Sequence, residues 1–123
     1  MEKIALAEKF AQFDEHWSPR IIGEANGQFL KIAKMQGEFV AHSHEHEDEA
    51  FFCISGRFGI RFPASGEVVE LGPGELLIVP AGVEHQPFAE DEAQVMMFEP
   101  KQTAHTGAVD SELTKSVEDQ PRI

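Results

Sequence analysis

Hydrophobic and polar residues alternate through most of residues 20–100, and this period of two predicts β-strands rather than helices. Asn26-Gly27 separates the first two alternating segments, between Arg20 and Met35, and is a strong signal for a two-residue hairpin. Glycines and prolines mark further turns at 63–66 and 72–74. The later predicted strands cover residues 49–55, 57–62, 67–71, 76–79, 85–88 and 94–99. Short strands separated by such turns are typical of a β-barrel or a jelly roll.

Residues 3–17 show a helical pattern instead, because large apolar residues recur at spacings of four, three and four, at Leu6, Phe10, Phe13 and Trp17. A proline two residues after the tryptophan ends this predicted helix. We expect the apolar stripe to cover one end of the barrel rather than to bind a partner, since such stripes usually pack inward.

The other end of the chain, residues 101–123, is polar and only weakly periodic, and we predict that it forms a tail. Residues 109–117 could hold a short helix, and residues 103–107 could fold over the mouth of the barrel. The sequence decides neither alternative.

The candidate chemistry concentrates at residues 42–49, where three histidines and four acidic residues lie together. Alternation places His42 and His44 on one face of a predicted strand, and Glu49 begins the next strand. Residues 45–48 are then predicted to form a hairpin loop that sets His44 opposite Glu49. Two imidazoles and one carboxylate on one face make most of a site for a first-row metal.

His46 is the ambiguous member of this stretch, because it lies in the middle of the predicted loop. It is a candidate for a role next to the metal ligands, or for a ligand in place of His42. A solvated acidic loop is the alternative interpretation of the whole stretch, but it does not account for the alternation that precedes it.

A fourth candidate ligand, His85, lies 41 residues beyond His44 and follows Pro80-Ala81-Gly82, which can turn the chain. Together the two histidine stretches resemble the motifs of the cupin superfamily. The first motif is HxH, four residues, Glu, six residues and Gly, ending at Gly56; the second is Gly, five residues, Pro-x-Gly, two residues and His, beginning at Gly74. The resemblance implies an all-β fold, a conical antiparallel barrel also described as a double-stranded β-helix or jelly roll, here with an N-terminal helix and a C-terminal tail.

In that family the metal ligands would fall on His42, His44, Glu49 and His85. This chain departs from the usual pattern in two places. Gly37 lies one residue closer to the first histidine than usual, and Ala89 occupies a position, four residues after the last histidine, where a polar residue is often found.

Three neutral imidazoles and one carboxylate suit one divalent transition ion per chain, namely Fe, Mn, Ni, Co, Cu or Zn. We expect Val40, Phe51, Cys53 and Phe58 to line an apolar pocket beside this ion. Cys53 is predicted to act there as a small buried hydrophobic group rather than as a ligand. An apolar pocket with few polar groups favours a small, partly apolar ligand.

Charge and composition change the picture of partners and location. The net charge of −12 argues against binding to nucleic acid or to anionic membranes. The chain has one cysteine, which excludes an internal disulfide, and it shows no signal peptide or apolar run of membrane length. We therefore expect a cytoplasmic protein. Arg57 and Arg61 are expected on the exterior of the barrel.

These observations predict a single domain over residues 1–123, with a helix at 3–17, the barrel at 20–100 and the tail at 101–123. The resemblance implies a metal-dependent enzyme, dioxygenase-like or isomerase-like, that acts on a small oxygenated molecule. It also implies a homodimer, and the apolar strand at 29–35 would otherwise leave an exposed edge. The alternatives are a non-catalytic module that binds a metal or small ligand, and a metal-free structural barrel. The absence of Tyr leaves no obvious base beside the metal, which favours the non-catalytic module.

Overall fold

The computed structural model of the protein describes residues 1–103, 105–107, 114, 116 and 119–123. This part of the chain contains one short helix and seven strands. They are α1 (Leu6–Phe10), β1 (Arg20–Ala25), β2 (Gln28–Glu38), β3 (Glu49–Ser55), β4 (Phe58–Phe62), β5 (Glu67–Leu71), β6 (Leu76–Val79) and β7 (Gln86–Pro100). The predicted all-β architecture with a helix near the N-terminus is confirmed.

The turn between β1 and β2 has the conformation that its sequence predicts. Asn26 and Gly27 have φ angles of 53° and 76°, and both central residues of a type I′ turn require positive φ. The turn matches the right-handed twist of the two strands, so β1 pairs with β2 in antiparallel register from Arg20 opposite Ile32 to Ala25 opposite Gln28.

The strand β7 is the centre of the sheet. All the strand pairs are antiparallel, and the order β1–β2–β7–β3–β6 forms an open ladder from which β4 and β5 branch at β7. The first part of β7, 86–88, pairs with β4, whereas 94–98 pairs with β3. From residue 88 to residue 100, except at 90–92, β7 also pairs with β2, so it joins the two halves of the structure.

The sequence pattern predicted two strands, 85–88 and 94–99, where the structure has the single strand β7. The predicted interruption is nevertheless visible as a change of register. Met35 pairs with Ala93 and Gly37 with Ala89, so three residues of β7 oppose the single residue Gln36. This bulge carries the three acidic residues 90–92 on the exposed side without breaking the strand.

The helix α1 is much shorter than the predicted span of 3–17. After Phe10 the chain is held by β2 instead of continuing as a helix: the amide of Trp17 donates to the carbonyl of Lys34, and Lys34 Nζ donates to the carbonyl of Phe13. Trp17 itself has a φ of 56°, which a helix does not allow. The apolar stripe is buried as predicted, but tertiary contacts override its helical period beyond Phe10.

Two hydrophobic clusters lie on opposite faces of the sheet, because successive strand residues point to opposite sides. Ile32 packs in the outer cluster with Phe10 and Phe13, which belong to the N-terminal segment. Ala33 belongs to the larger inner cluster, together with Trp17 and the inward side chains of β3, β4 and β7. The inner cluster surrounds the four predicted metal ligands.

In the described residues, no helix is long and apolar enough to cross a membrane. The short helix considered at 109–117 falls outside the described part of the chain, apart from Thr114 and Ser116.

The turn between β3 and β4 allows a test of this packing. Gly56 has a φ of +77°, and a Cβ placed on it would lie 2.7 Å from the carbonyl oxygen of Glu92. Gly66 has nearly the same φ, +75°, but a Cβ there would meet nothing within 4 Å. We expect Gly66→Ala to lower the free energy of unfolding by about 1–2 kcal/mol through backbone strain alone. Gly56→Ala should cost about 1–3 kcal/mol more, because it also forces backbone atoms apart.

Urea unfolding followed by circular dichroism measures both changes. Equal losses in the two variants would contradict the close approach of β7 to the β3–β4 turn.

Candidate metal centre

The structure brings together the four residues that the sequence predicts as metal ligands. One ligand atom from each of His42, His44, Glu49 and His85 lies within 4.8 Å of the others, and all four residues are buried. They come from three separate parts of the chain: the segment before β3, the first residue of β3, and the residue that precedes β7.

The predicted hairpin between the histidine segment and β3 is wrong. Both edges of β3 are occupied, by β6 and β7, so no edge is left for residues 40–44. His42 instead forms an isolated antiparallel bridge with His85, with backbone N–O distances of 3.0 and 2.8 Å. The ligands meet nonetheless, because this bridge places the segment over the end of β3.

The turn at Pro80-Ala81-Gly82 holds the rest of the histidine loop. The amide of Gly82 donates to the carbonyl of His44 at 2.7 Å, and the amide of Ala81 donates to the Asp48 carboxylate at 2.8 Å. Backbone contacts therefore fix the positions of the histidines on both sides of the loop.

Two of the imidazoles are oriented by backbone carbonyls. The Nδ1 atoms of His42 and His85 lie 2.9 Å from the carbonyl oxygens of Val40 and Val83. Because a carbonyl oxygen only accepts, each Nδ1 carries the hydrogen and each Nε2 keeps a free lone pair. This is the arrangement in which a histidine binds a metal through Nε2.

Several polar atoms of the group lack a hydrogen-bond partner. Both ring nitrogens of His44 and the Nε2 of His85 are buried without one among the described residues. Glu49 Oε1 lies 3.5 Å from the Nε2 atoms of both rings, which is longer than a good hydrogen bond. Buried polar atoms without partners are rare, and a cation between these nitrogens and the carboxylate would satisfy them. The donor set therefore fits a divalent transition ion.

Electrostatics keep the donors in the forms that bind metal. Burial lowers the pKa of His42 to about 4, against an opposing hydrogen bond with Val40, so this ring is neutral near pH 7. Burial tends to raise the pKa of Glu49, but the neighbouring Glu99, His44 and His85 outweigh it and hold that pKa well below its ordinary value. These shifts leave His42 as a neutral imidazole and Glu49 as a carboxylate, the forms that bind a metal.

A second buried carboxyl group, Glu99, adjoins Glu49. Ala50 of β3 pairs with Phe98 of β7, and Glu49 and Glu99 are the next residues along these two antiparallel strands. Burial, the negative charge of Glu49 and the hydrogen bond with it raise the pKa of Glu99 well above its ordinary value, although Lys31 opposes them. The raised pKa of Glu99 and the lowered pKa of Glu49 thus shift in opposite directions within this pair of buried carboxyl groups.

Lys31 completes this chain of groups, with its Nζ 2.6 Å from Glu99 Oε1. The sequence pattern assigned no role to Lys31 or Glu99. The available signal was the alternation of the strands. Lys31 is two positions from both Phe29 and Ala33, and Glu99 is two positions after Met97, so each shares a strand face with inward-pointing apolar residues. A charged residue at an inward position is unusual and indicates a partner.

A cavity of about 30 Å³ adjoins the group, enough for about two water molecules. Its polar lining residues are His42, Glu49, Glu99 and His105. The remaining lining residues are apolar: Trp17, Pro19, Ala33, Met35, Phe39, Phe51, Pro87 and Met97. The cavity is thus mostly apolar, with four polar residues in its lining.

Of the four predicted pocket residues, Phe51 lines this cavity and the other three do not. Phe58 packs behind it, with ring centroids 6.1 Å apart, and Val40 packs against the inner cluster. Cys53 is buried as a small hydrophobic group, as predicted, and its thiol faces the carbonyls of Ser55 and Gly56.

The remaining histidines differ in placement. The side chain of His46 is 79% exposed and lies 3.9 Å from Glu45, so the structure does not bring it to the group. His105, to which the sequence gave no role, lines the cavity with its ring 5.0 Å from that of Phe39. Gly107 packs directly against the carbonyl of Ser43, so this residue of the tail lies against the histidine loop.

The chain is similar in sequence and fold to known proteins. A crystal structure of a cupin-2 domain protein from Shewanella frigidimarina has 41% sequence identity and a TM-score of 0.76, covering 79% of this chain and 93% of that one. A Neisseria meningitidis protein has 29% identity and a TM-score of 0.74, covering 80% and 99%.

Quercetin 2,3-dioxygenase of Bacillus subtilis is 33% identical over 63 residues, which span 49% of this chain but only 18% of that enzyme. The family model described as the cupin domain matches residues 29–108, which include all four candidate ligands. The chain therefore belongs to the cupin family.

Proposed function

We propose that this cupin is a metal-dependent enzyme of the dioxygenase type, acting on a small oxygenated molecule. The observation that carries the proposal is the buried group of three histidines and one glutamate, with unpartnered ring nitrogens, beside an apolar cavity. The partial similarity to a quercetin dioxygenase supports the reaction class.

The proposed ligands are His42, His44, Glu49 and His85. When bound there, a transition ion would supply Lewis-acid or redox chemistry to an oxygen-containing ligand. Dioxygenase chemistry needs a redox-active ion, so the proposal favours Fe, Mn, Co, Ni or Cu over Zn. The protein supplies orientation through the two Nδ1 contacts, and its apolar lining excludes water from the reacting side.

The cavity also bears on the size of the substrate. A space of about 30 Å³ is far smaller than a polycyclic flavonol, so we do not assign the substrate of the Bacillus subtilis relative to this chain. A molecule of a few heavy atoms with one or two oxygen donors fits the cavity better.

The cytoplasmic location predicted from the sequence stays a prediction.

A second candidate is an isomerase-like reaction in the same cavity. Such chemistry needs a group that gives and takes a proton, and Glu99 is a carboxyl group that lines the cavity. The sequence indicated no such group, and this observation weakens the alternative of a non-catalytic module.

We also propose that the protein is a homodimer, although the reason that the sequence suggested is wrong. Residues 29–35 belong to β2, which has β1 and β7 on its two sides and is not an edge. Among the described residues, the strand β6 pairs with β3 alone, and its Leu76 and Ile78 are 57% and 58% exposed. This apolar edge continues across the sheet to Phe98, which favours contact with a second copy.

The first prediction from the proposed site concerns the effect of acid on stability. Metal binding requires neutral imidazoles, and the metal-free protein reports whether His42 is neutral in the native state. His42 has a lowered pKa in the native state, about 4 against an ordinary value of 6.5. Between these values the unfolded chain binds a proton at His42 that the native protein does not, so native stability falls as pH drops. The metal-free protein should lose about 2 kcal/mol from this group between pH 7 and pH 5.

Glu99 has a raised pKa, so its contribution to native stability increases as pH drops. Glu99 is present both in wild type and in His42→Leu, and its contribution therefore cancels when the two proteins are compared. Urea unfolding of the chelated proteins at the two pH values should show a loss about 2 kcal/mol greater for wild type. The same pH dependence in both proteins would refute the assignment to His42.

The second prediction tests the metal and the reaction. Wild-type protein loaded with Fe(II) should hold about one ion per chain. It should also consume oxygen in the presence of small hydroxylated or oxo substrates. His85→Ala should lose most of the metal and the oxygen uptake, because it removes one buried ligand. His46→Ala is the matched control and should retain both, since that side chain is exposed.

Elemental analysis and an oxygen electrode give the two readouts. Full metal occupancy in His85→Ala would contradict the four-ligand site. Substrate conversion without oxygen uptake would instead support the isomerase-like candidate.

The third prediction concerns assembly. Light scattering should give about twice the chain mass of 13.7 kDa for wild type and the single-chain mass for Ile78→Lys. Val68→Lys is the control, because Val68 is half-exposed on β5 rather than on β6. A monomeric wild type at micromolar concentration would exclude the dimer.

A further inference from the structure

We propose that His105, carried by the C-terminal segment, contacts the substrate of the proposed metal site, where its imidazole donates a hydrogen bond to an anionic oxygen of a small hydroxy acid. The inference rests on the proposed function and narrows its substrate class. His105 is not one of the four residues whose ligand atoms lie together, so it is assigned to the substrate and not to the ion.

The segment that carries His105 is anchored to the rest of the fold on both sides of this residue. Thr103 and Thr106 are buried, with only 0% and 1% of their surfaces exposed. A Cβ placed on Gly107 would collide with the carbonyl oxygen of Ser43, so the backbone itself packs there. Ser43 separates two of the proposed histidine ligands in the sequence. The anchored segment therefore holds His105 beside the histidine loop.

The ring of His105 packs on Phe39 in the lining of the cavity. Their ring centroids are 5.0 Å apart, and the Phe39 ring also meets the ring of His42 edge-on at 5.6 Å. One phenylalanine thus contacts both a proposed ligand and His105. The cavity of about 30 Å³ has room for about two water molecules, so a molecule that fills it contacts the proposed ligand group and His105 together.

The chemistry of the polar lining residues selects His105 for this contact. His42 and Glu49 are proposed ligands, and the carboxyl group of Glu99 lies 2.6 Å from Lys31 Nζ. His105 is the remaining polar residue of the lining, and the C-terminal segment supplies it. An imidazole carries at least one N–H in either of its protonation states, so this side chain offers a donor to an oxygen acceptor.

The charges beside the cavity favour an anion. A divalent ion bound by three neutral imidazoles and the Glu49 carboxylate would leave a net charge of about +1. Lys31 offsets any charge on Glu99. A hydrogen bond to an anionic oxygen is also about twice as strong as one to a neutral oxygen. A hydroxy acid of about two or three carbons supplies such an oxygen and keeps its carbon atoms against the apolar lining.

Glycolate is the probe that tests this contact, and the full chain is loaded with Co(II). In calorimetric titration, His105→Leu should bind glycolate about 10–100-fold more weakly than wild type, because it removes a hydrogen bond to a charged group. His105→Gln should recover most of the affinity, since its amide keeps an N–H donor. Both variants lose the same ring contact with Phe39, so the difference between them isolates the donor.

The matched control is His46→Leu, which removes an exposed imidazole from the neighbouring histidine loop and should bind glycolate like wild type. Ethylene glycol is the neutral control ligand and should bind wild type at least about 10-fold more weakly than glycolate. Affinity for Co(II), measured without glycolate by competition with a chelator, should be the same in wild type and both His105 variants.

Several results would overturn the inference while leaving the proposed function intact. Wild-type affinity for glycolate in His105→Leu would exclude the contact, whereas an equal loss in His105→Gln or His46→Leu would show that the hydrogen-bond donor is not its cause. Weaker Co(II) binding in His105→Leu would make His105 part of the metal site. Absence of glycolate binding, or equal affinity for ethylene glycol, would exclude the anionic substrate. Failure of wild type to bind Co(II) is a separate outcome, which would overturn the metal site and this inference with it.

Discussion

The site depends on the antiparallel bridge between His42 and His85. Two backbone hydrogen bonds, of 3.0 and 2.8 Å, join segments that are 43 positions apart in the sequence. They involve no side-chain atoms, so the ring nitrogens of both residues stay available while the backbone holds them. Because the histidine segment belongs to no strand, this bridge and the Gly82 contact supply most of its order. Fixing the loop before any ligand arrives lowers the entropy that binding would otherwise cost.

The ligands therefore have two different kinds of support. The histidines are held by backbone contacts between a loop and a turn, whereas Glu49 stands on a central strand among buried side chains. The strand β7 connects the two, because His85 directly precedes it and Glu99 lies near its other end. A change in the bulge of β7 would shift these two residues relative to each other. The acidic residues 90–92 are exposed, but they lie between His85 and Glu99 in the sequence and are thus structurally linked to the site.

Local sequence patterns predicted much of this arrangement. The bounds of β3, β5 and β6 agree with the alternating segments, and Asn26-Gly27 forms the predicted turn. Alternation and spacing made these residues candidates, and the resemblance to the cupin motifs selected the four that the fold brings together. Partner choice between strands was less predictable, because it depends on which edges remain free: the hairpin at 45–48 failed since β3 was already paired on both sides. Lys31 and Glu99 were missed because each looks like an ordinary surface residue until its strand phase is combined with that of its neighbour.

The placement of the single tryptophan has a consequence for observing this protein. Trp17 lines the cavity, stacks on Phe39 with centroids 4.8 Å apart, and donates its indole N–H to the carbonyl of Gln36. The chain contains no tyrosine, so nearly all of its near-ultraviolet emission arises from this one ring. The indole is held by a stacked ring and a hydrogen bond, and it faces the space beside the candidate ligands. The native protein therefore carries its own optical probe of the cavity, and occupancy there can be followed by fluorescence without any added label.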